Sequence, residues 1–301
     1  MTFDFAINSS NRPDRYDKLT RSGDTHHLIR LRPLKPYLMT TVALLAASLS
    51  QPILAQTEPQ HRTNKTKPTY EYRRWGLGLL VQYESEIYLD AGSEADALPL
   101  IQLEWGRFEW DAEEISYTVI DTESFSLAPL ISIEFDGYEI EDADIFTGME
   151  DRQFAIHAGL AFEAEPTWSA IDWLEIEGNI RQDISGESDG FIADLSLGAD
   201  APLGRWFVGI AIGLEYLSED YADYYYGVEP RFARYDRPTY LVDAALNPFV
   251  EFSLRYQLTE SWVVGLEAEY LTFDSTITDS PLVDADDQIE IFAGAYYEFF
   301  N

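Results

Sequence analysis

From Trp75 onward, apolar and polar residues alternate with a period of two in one segment after another. In "RWFVGIAIGLEYL", Trp206, Val208, Ile210, Ile212, Leu214 and Tyr216 share one face, and Gly209, Ala211, Gly213 and Glu215 share the other. "DRQFAIHAGLAFEAE", "FVEFSLRYQL", "SWVVGLEAEYL" and the closing "EIFAGAYYEFFN" repeat the scheme, as do "FIADLSLGAD" and "SLAPLISIEF". This periodicity predicts long β-strands, each with an apolar face and a small or charged face. No helical period of any length is evident, and no run of 18 apolar residues occurs after Trp75.

Alternation alone fits a sandwich or a lipocalin as well as a membrane barrel. The apolar faces, however, begin and end in aromatics. Trp206 and Tyr216 lie ten residues apart, which on a tilted strand spans about 25 Å, the height of a barrel's lipid-facing band. Connections counted back from the last strand alternate between long ("TFDSTITDSPLVDADD", residues 218–241, "DGYEIEDADIFTGMED") and short ("TES", "APLGR", "EPTWSA", "DTES"), with "ISGESDG" intermediate. Outer loops and periplasmic turns of an outer-membrane barrel alternate in this way. The sequence offers eleven candidate strands, near residues 75, 98, 108, 125, 152, 171, 189, 206, 245, 262 and 287. A closed barrel of this class has an even number. Either residues 107–119, where "DAEE" breaks the alternation, hold no separate strand, or one strand escapes detection. The fold class is therefore an all-β, transmembrane antiparallel barrel of 10 to 12 strands.

Export agrees with this. In "RLRPLKPYLMTTVALLAASLSQPILAQ", Arg30, Arg32 and Lys35 precede an apolar run from Leu38 to Leu49, followed by Pro52 and Ala55. That order marks a cleavable secretory signal. The division is a signal over 1–55 with a long n-region, a polar basic periplasmic lead over 56–74, and a barrel over 75–301. The whole chain has 20 basic and 54 acidic residues and a net charge of -34, which disfavours nucleic acid as a partner. After Lys67 there is no lysine. Absence of cysteine excludes disulfides, a thiol nucleophile and Cys-ligated metals.

Candidate chemistry is sparse. Beyond the signal only His61 and His157 remain. His157 is predicted to face the lumen on the same side as Glu163, and its bland reading as a hydrogen-bonded lumen filler outweighs a catalytic one. No enzyme activity, cofactor or dedicated metal site is expected. The loops "DAGSEADA", "EIEDAD" and "VDADDQIE" lack the spacing of a calcium loop; loosely held divalents bridging them to lipopolysaccharide are a better reading. Lumen-facing candidates are His157, Glu163, Glu175, Glu177, Arg181, Asp194, Glu215, Glu251, Arg255, Glu267, Glu269 and Glu298, with Arg181 and Arg255 as pairing partners. They suit either a cation-favouring pore or a closed lumen of ion pairs and water.

The mature chain also resembles the MipA/OmpV outer-membrane proteins. The likeness runs through "WGLGLLVQYES", "ALPLIQLEWGRF", "LEIEGNIRQDISGESDGFIADLSLGADAPLG", "DYYYGVEP" and "SLRYQLTESWVVGLEAEYLTFDSTITDSPLVDADDQIEIFAGAYYEF". Tyr226, Gly227 and Val228, then Asp279, Ser280 and Pro281, then Gln288 occur in the family's order. The resemblance implies a Gram-negative outer-membrane barrel acting as a scaffold, with a membrane-bound lytic transglycosylase and a murein synthase as partners alongside outer-membrane lipid and the barrel-assembly machinery. The terminal assembly signal resembles that of such barrels at Gly294, Tyr297 and Phe299 and departs from it at Phe292, which is not polar.

Overall fold

The computed structural model describes residues 30–31, 73–111, 113–166 and 174–300. Most of the expected signal and lead lies outside the described residues. Twelve consecutive strands close into an up-and-down antiparallel barrel: β1 (Arg73–Glu84), β2 (Glu94–Trp105), β3 (Phe108–Asp111), β4 (Glu114–Tyr117), β5 (Phe125–Glu134), β6 (Ala155–Ala164), β7 (Leu174–Asp183), β8 (Phe191–Leu203), β9 (Trp206–Leu217), β10 (Ala245–Gln257), β11 (Trp262–Thr272) and β12 (Asp287–Phe300). The seam joins β12 to β1 in the register Phe299↔Trp75 to Glu290↔Glu84. Closure leaves no sheet edge at the seam.

Residues 107–119 therefore hold two strands. "DAEE" is the tip of a hairpin whose arms have four residues each. Two alternations per arm are too few to register as a period, which is why one strand escaped the sequence count. With twelve strands, the loop after β1 falls on the same side as the other long loops.

The period-2 pattern is inverted relative to a water-soluble core. Leu79, Ile180, Leu195, Ile210, Ile212 and Leu160 are each about half exposed on the outer face. In lipid this apolar belt is the favourable surface, and strands are admissible because their backbone groups are satisfied between neighbours. Aromatic pairs ring the end that carries the short turns: Trp75 stacks on Phe299 at 3.8 Å, Trp262 meets Tyr297 at 5.5 Å and Trp206 meets Tyr256 at 4.4 Å. Tyr297 and Phe299 of the terminal strand thus sit in an aromatic girdle at the bilayer boundary.

The long loops at the other end contain helix, which the sequence pattern did not suggest. α1 (Glu219–Tyr226) follows β9, and a single turn, α2 (Ser275–Thr278), follows β11. Eight residues or fewer give no detectable helical period, so tertiary contacts select the conformation.

Candidate functional site: a capped acidic lumen

The loop residues build an apolar core across the outer mouth of the barrel. Ser218 caps α1, accepting from the Tyr221 amide, and also accepts from the Phe191 amide at 2.8 Å, fixing the helix to β8. Tyr221, Ala222 and Tyr225 are fully buried against Ile192, Leu217, Ala245 and Leu271, which point inward from the tops of β8 to β11. The Tyr221 hydroxyl donates to Asp136, and that of Tyr225 donates to the Gln153 carbonyl at 3.2 Å. A helix in the β9–β10 loop is thereby bonded to the β5–β6 loop on the far side of the mouth.

A second cluster continues the lid. Phe146, Val228 and Leu282 are fully buried with Tyr138, Ile145 and Met149. Tyr138 stacks on Phe146 at 3.9 Å. The buried Arg237 guanidinium donates to the Ile145 carbonyl and, at 2.7 Å, to the Phe232 carbonyl, while Arg234 donates to the carbonyls of Asp144 and Thr147 at 3.1 Å. These arginines staple the β5–β6 loop to the β9–β10 loop. Burial pushes the Tyr138 hydroxyl up to about 12 and draws the Arg237 guanidinium down. At the rim, a hydrogen bond from Arg231 holds the Glu229 carboxyl below its usual range.

The positions singled out by family likeness meet in this lid. Ser280 donates through its hydroxyl to the Tyr226 carbonyl at 2.6 Å, joining loop segments 54 residues apart. The same oxygen accepts from the Leu282 amide at 3.2 Å. Gly227 has a steric reason: a Cβ there would lie 2.3 Å from the Asp223 carbonyl oxygen. Gln288, by contrast, donates to Glu84 across the barrel seam.

Beneath the lid lies a cavity of about 280 Å³ lined by Glu177, Arg181, Asp194, Glu215, Glu251 and Glu269, among others. Arg181 bridges Glu134 and, at 2.7 Å, Asp194. Glu134 is a partner that sequence reasoning missed, because it ends a strand whose neighbour in the ladder could not be identified from the pattern. Asn247, fully buried, links lid to lumen: its amide donates to Glu215 at 2.8 Å and its oxygen accepts from the Asp274 amide at 2.9 Å.

Two expectations need correction. Arg255 forms no carboxylate pair among the described residues and instead lies 5.8 Å from the Phe207 ring. His157 is fully buried beneath Tyr221, with ring centroids 5.9 Å apart and the Glu134 carboxylate 4.0 Å away, so packing holds it in place and no hydrogen bond does among the described residues. Lower in the barrel, Glu163, Glu165 and Glu175 bring carboxylate oxygens within 4.8 Å of one another. Glu267 pairs in register with Ser253 and Phe292, and Glu298 with Gly76.

Residues 77–299 match the family model described as MltA-interacting protein MipA. The chain belongs to the MipA family. Among MipA relatives, the putative outer membrane protein YiaT of Escherichia coli K12 is 25% identical over 227 residues, covering 74% of this chain and 90% of that protein. The MltA-interacting protein of the same organism is 28% identical over 156 residues, covering 50% and 59%. Of solved structures, an outer membrane channel from Pseudomonas putida F1 aligns over 81% of this chain and 100% of its own, at 8% identity and a TM-score of 0.41. Membership of the MipA family, relatives named as outer membrane proteins and the twelve-stranded barrel place the protein in the outer membrane.

Proposed function

We propose that the protein is a closed, non-enzymatic envelope scaffold that holds a lytic transglycosylase, and through it a murein synthase, at the inner face of the outer membrane. One observation supports the reading: the apolar lid centred on Tyr221 and Phe146 lies across the outer mouth, which disfavours a general diffusion pore. On this reading a soluble periplasmic partner docks on short turns such as those carrying Arg107 and Arg205, and on the basic segment 56–74. The name of the MltA-interacting relative supports a transglycosylase as the partner.

The test is binding between the purified detergent-solubilised barrel and the organism's own purified membrane-bound lytic transglycosylase. Saturable binding that weakens when residues 56–72 are removed, or when Arg107 and Arg205 in the turns are replaced by glutamate, agrees with the scaffold. Absence of binding by the intact processed chain overturns it. A second reading, a cation-favouring channel, draws on the acidic cavity. It requires conductance by the native barrel that falls when Glu267 and Glu269 are neutralised.

A further inference from the structure

Arg152, Arg231, Arg234 and Arg237 gather where the β5–β6 loop meets the β9–β10 loop, and they share their carboxylates unequally. Arg231 takes Glu150 at 3.0 Å and Glu229 at 2.9 Å, and Arg234 takes Asp236 at 3.0 Å. Arg152 reaches Glu229 only at 3.9 Å, while Arg237 bonds to the carbonyls of Ile145, Thr147 and Phe232 and to no carboxylate among the described residues. Asp142 and Asp151 turn instead to their own loop, accepting from the amides of Glu139 and Ile140 at 2.7 and 2.8 Å. The cations with least compensation are also the most buried. Arg237 is 1% and Arg152 8% exposed, whereas the doubly paired Arg231 side chain is 55% exposed. Burying a charge is costly unless it is paired, so this order is the reverse of the expected one.

Arg234 deepens the imbalance. Its guanidinium and that of Arg237 donate to the same two carbonyl oxygens, those of Ile145 and Thr147, so two like charges share one anchor. Burial draws the Arg237 guanidinium down, and the neighbouring Arg234 charge acts in the same direction.

Hydrogen-bond donors are left over in the same place. Nε of Arg152, Nε of Arg237 and the Tyr138 hydroxyl are buried and make no hydrogen bond among the described residues. Such groups call for a partner the protein itself does not supply. The three are neighbours: the Tyr138 carbonyl accepts from the Arg152 amide at 2.9 Å, the Tyr138 ring stacks on Phe146, and Arg237 donates to the adjoining Ile145 carbonyl. The Tyr138 hydroxyl lies in the field of both guanidinium groups. A water molecule accepts from two donors at most and leaves both charges uncompensated. An anion meets the three donors and the excess charge together.

We propose that the lid holds a small monovalent anion of the halide class, chloride in a saline medium, between Arg152 Nε, Arg237 Nε and the Tyr138 hydroxyl. The ion is the counter-charge that lets the two arginine-stapled loops close over the mouth. Burial of all three side chains excludes a phosphate headgroup or a sugar acid. The site is separate from the scaffold reading, because it lies at the outer mouth and not on the periplasmic side.

Amide hydrogen exchange of the detergent-solubilised barrel, residues 56–301, tests this with chloride itself as the probe. Exchange is compared in sodium chloride and in sodium gluconate at equal ionic strength and pH, gluconate being too large for a buried site. The site requires several-fold slower exchange in chloride for peptides covering residues 138–152 and 228–240, with peptides of β9 on the wall unchanged. Tyr138→Phe keeps the ring stack and the arginine staples but removes one donor, so the chloride concentration giving half of the protection should rise several-fold. Arg237→Met should abolish the chloride dependence, and where that variant lacks the heat-shifted mobility of a folded barrel, Tyr138→Phe carries the test. Crystals grown in bromide should show an anomalous peak between the three atoms. Equal lid exchange in the two salts, a chloride effect unchanged in Tyr138→Phe, or no bromide peak at this place overturns the proposal.

Discussion

The barrel wall and its lid use the same apolar residue types in opposite ways. On the wall, Ile210 and Ile212 point outward and are more than half exposed, because lipid is their solvent. In the lid, Tyr221, Ile277 and Leu282 are fully buried, because water lies outside. One chain therefore carries two hydrophobic orders whose boundary is the outer rim of the barrel. The wall is held by a continuous backbone ladder, and the lid by side chains from four separate loops.

Substitutions separate the two regions. Tyr221→Ala removes a fully buried aromatic and its hydroxyl contact with Asp136, so the lid should lose about 3–5 kcal/mol of local stability. Limited proteolysis should then cut the outer loops while unheated samples keep their fast electrophoretic migration. Ile212→Arg should cost about 2–4 kcal/mol in the bilayer, read as a lower urea midpoint for unfolding from vesicles, with loop proteolysis unchanged. If the same variant opened the loops, the wall and lid would not be separate structures.

Alkaline pH should act next, and on the lid. Burial raises the Tyr138 hydroxyl to about 12, whereas in the unfolded lid it ionises near 10. Between those values the unfolded form binds fewer protons, so stability falls as pH rises from 10 toward 12. Buried Tyr221 and Tyr226 are shifted upward for the same reason, desolvation. Loop proteolysis should accelerate over that window before any loss of β-structure by circular dichroism, and Tyr138→Phe should reduce the effect. The smallest change is Ser280→Ala, which removes one buried hydrogen bond and should loosen the lid by about 1 kcal/mol, measured as faster amide exchange at Leu282 and around Tyr226.

How far the sequence revealed the fold follows the same division. Strands such as Trp206–Leu217 announce themselves because every second residue meets the same solvent over twelve positions. β3 and β4 do not, since four residues give no period, and the count stopped at eleven. The lid is harder still. Phe146, Tyr226 and Leu282 lie in different loops and obey no common spacing, so only folding brings them together. Likeness to the family marked Tyr226 and Ser280 but could not show that one hydroxyl joins them. Similarly, Arg181 was legible as a lumen cation from its strand parity, while its partner Glu134 depends on the ladder between β5, β6 and β7.

The closed outer mouth is the claim on which the rest depends, and planar-bilayer recording of the refolded barrel, residues 56–301, tests it most directly. At neutral pH the native protein should show no sustained open conductance, and steps should appear when α1 is replaced by a short glycine-serine linker. A large, steady conductance from the native barrel with its loops still protected from protease would contradict the packed lid and favour an open cation channel.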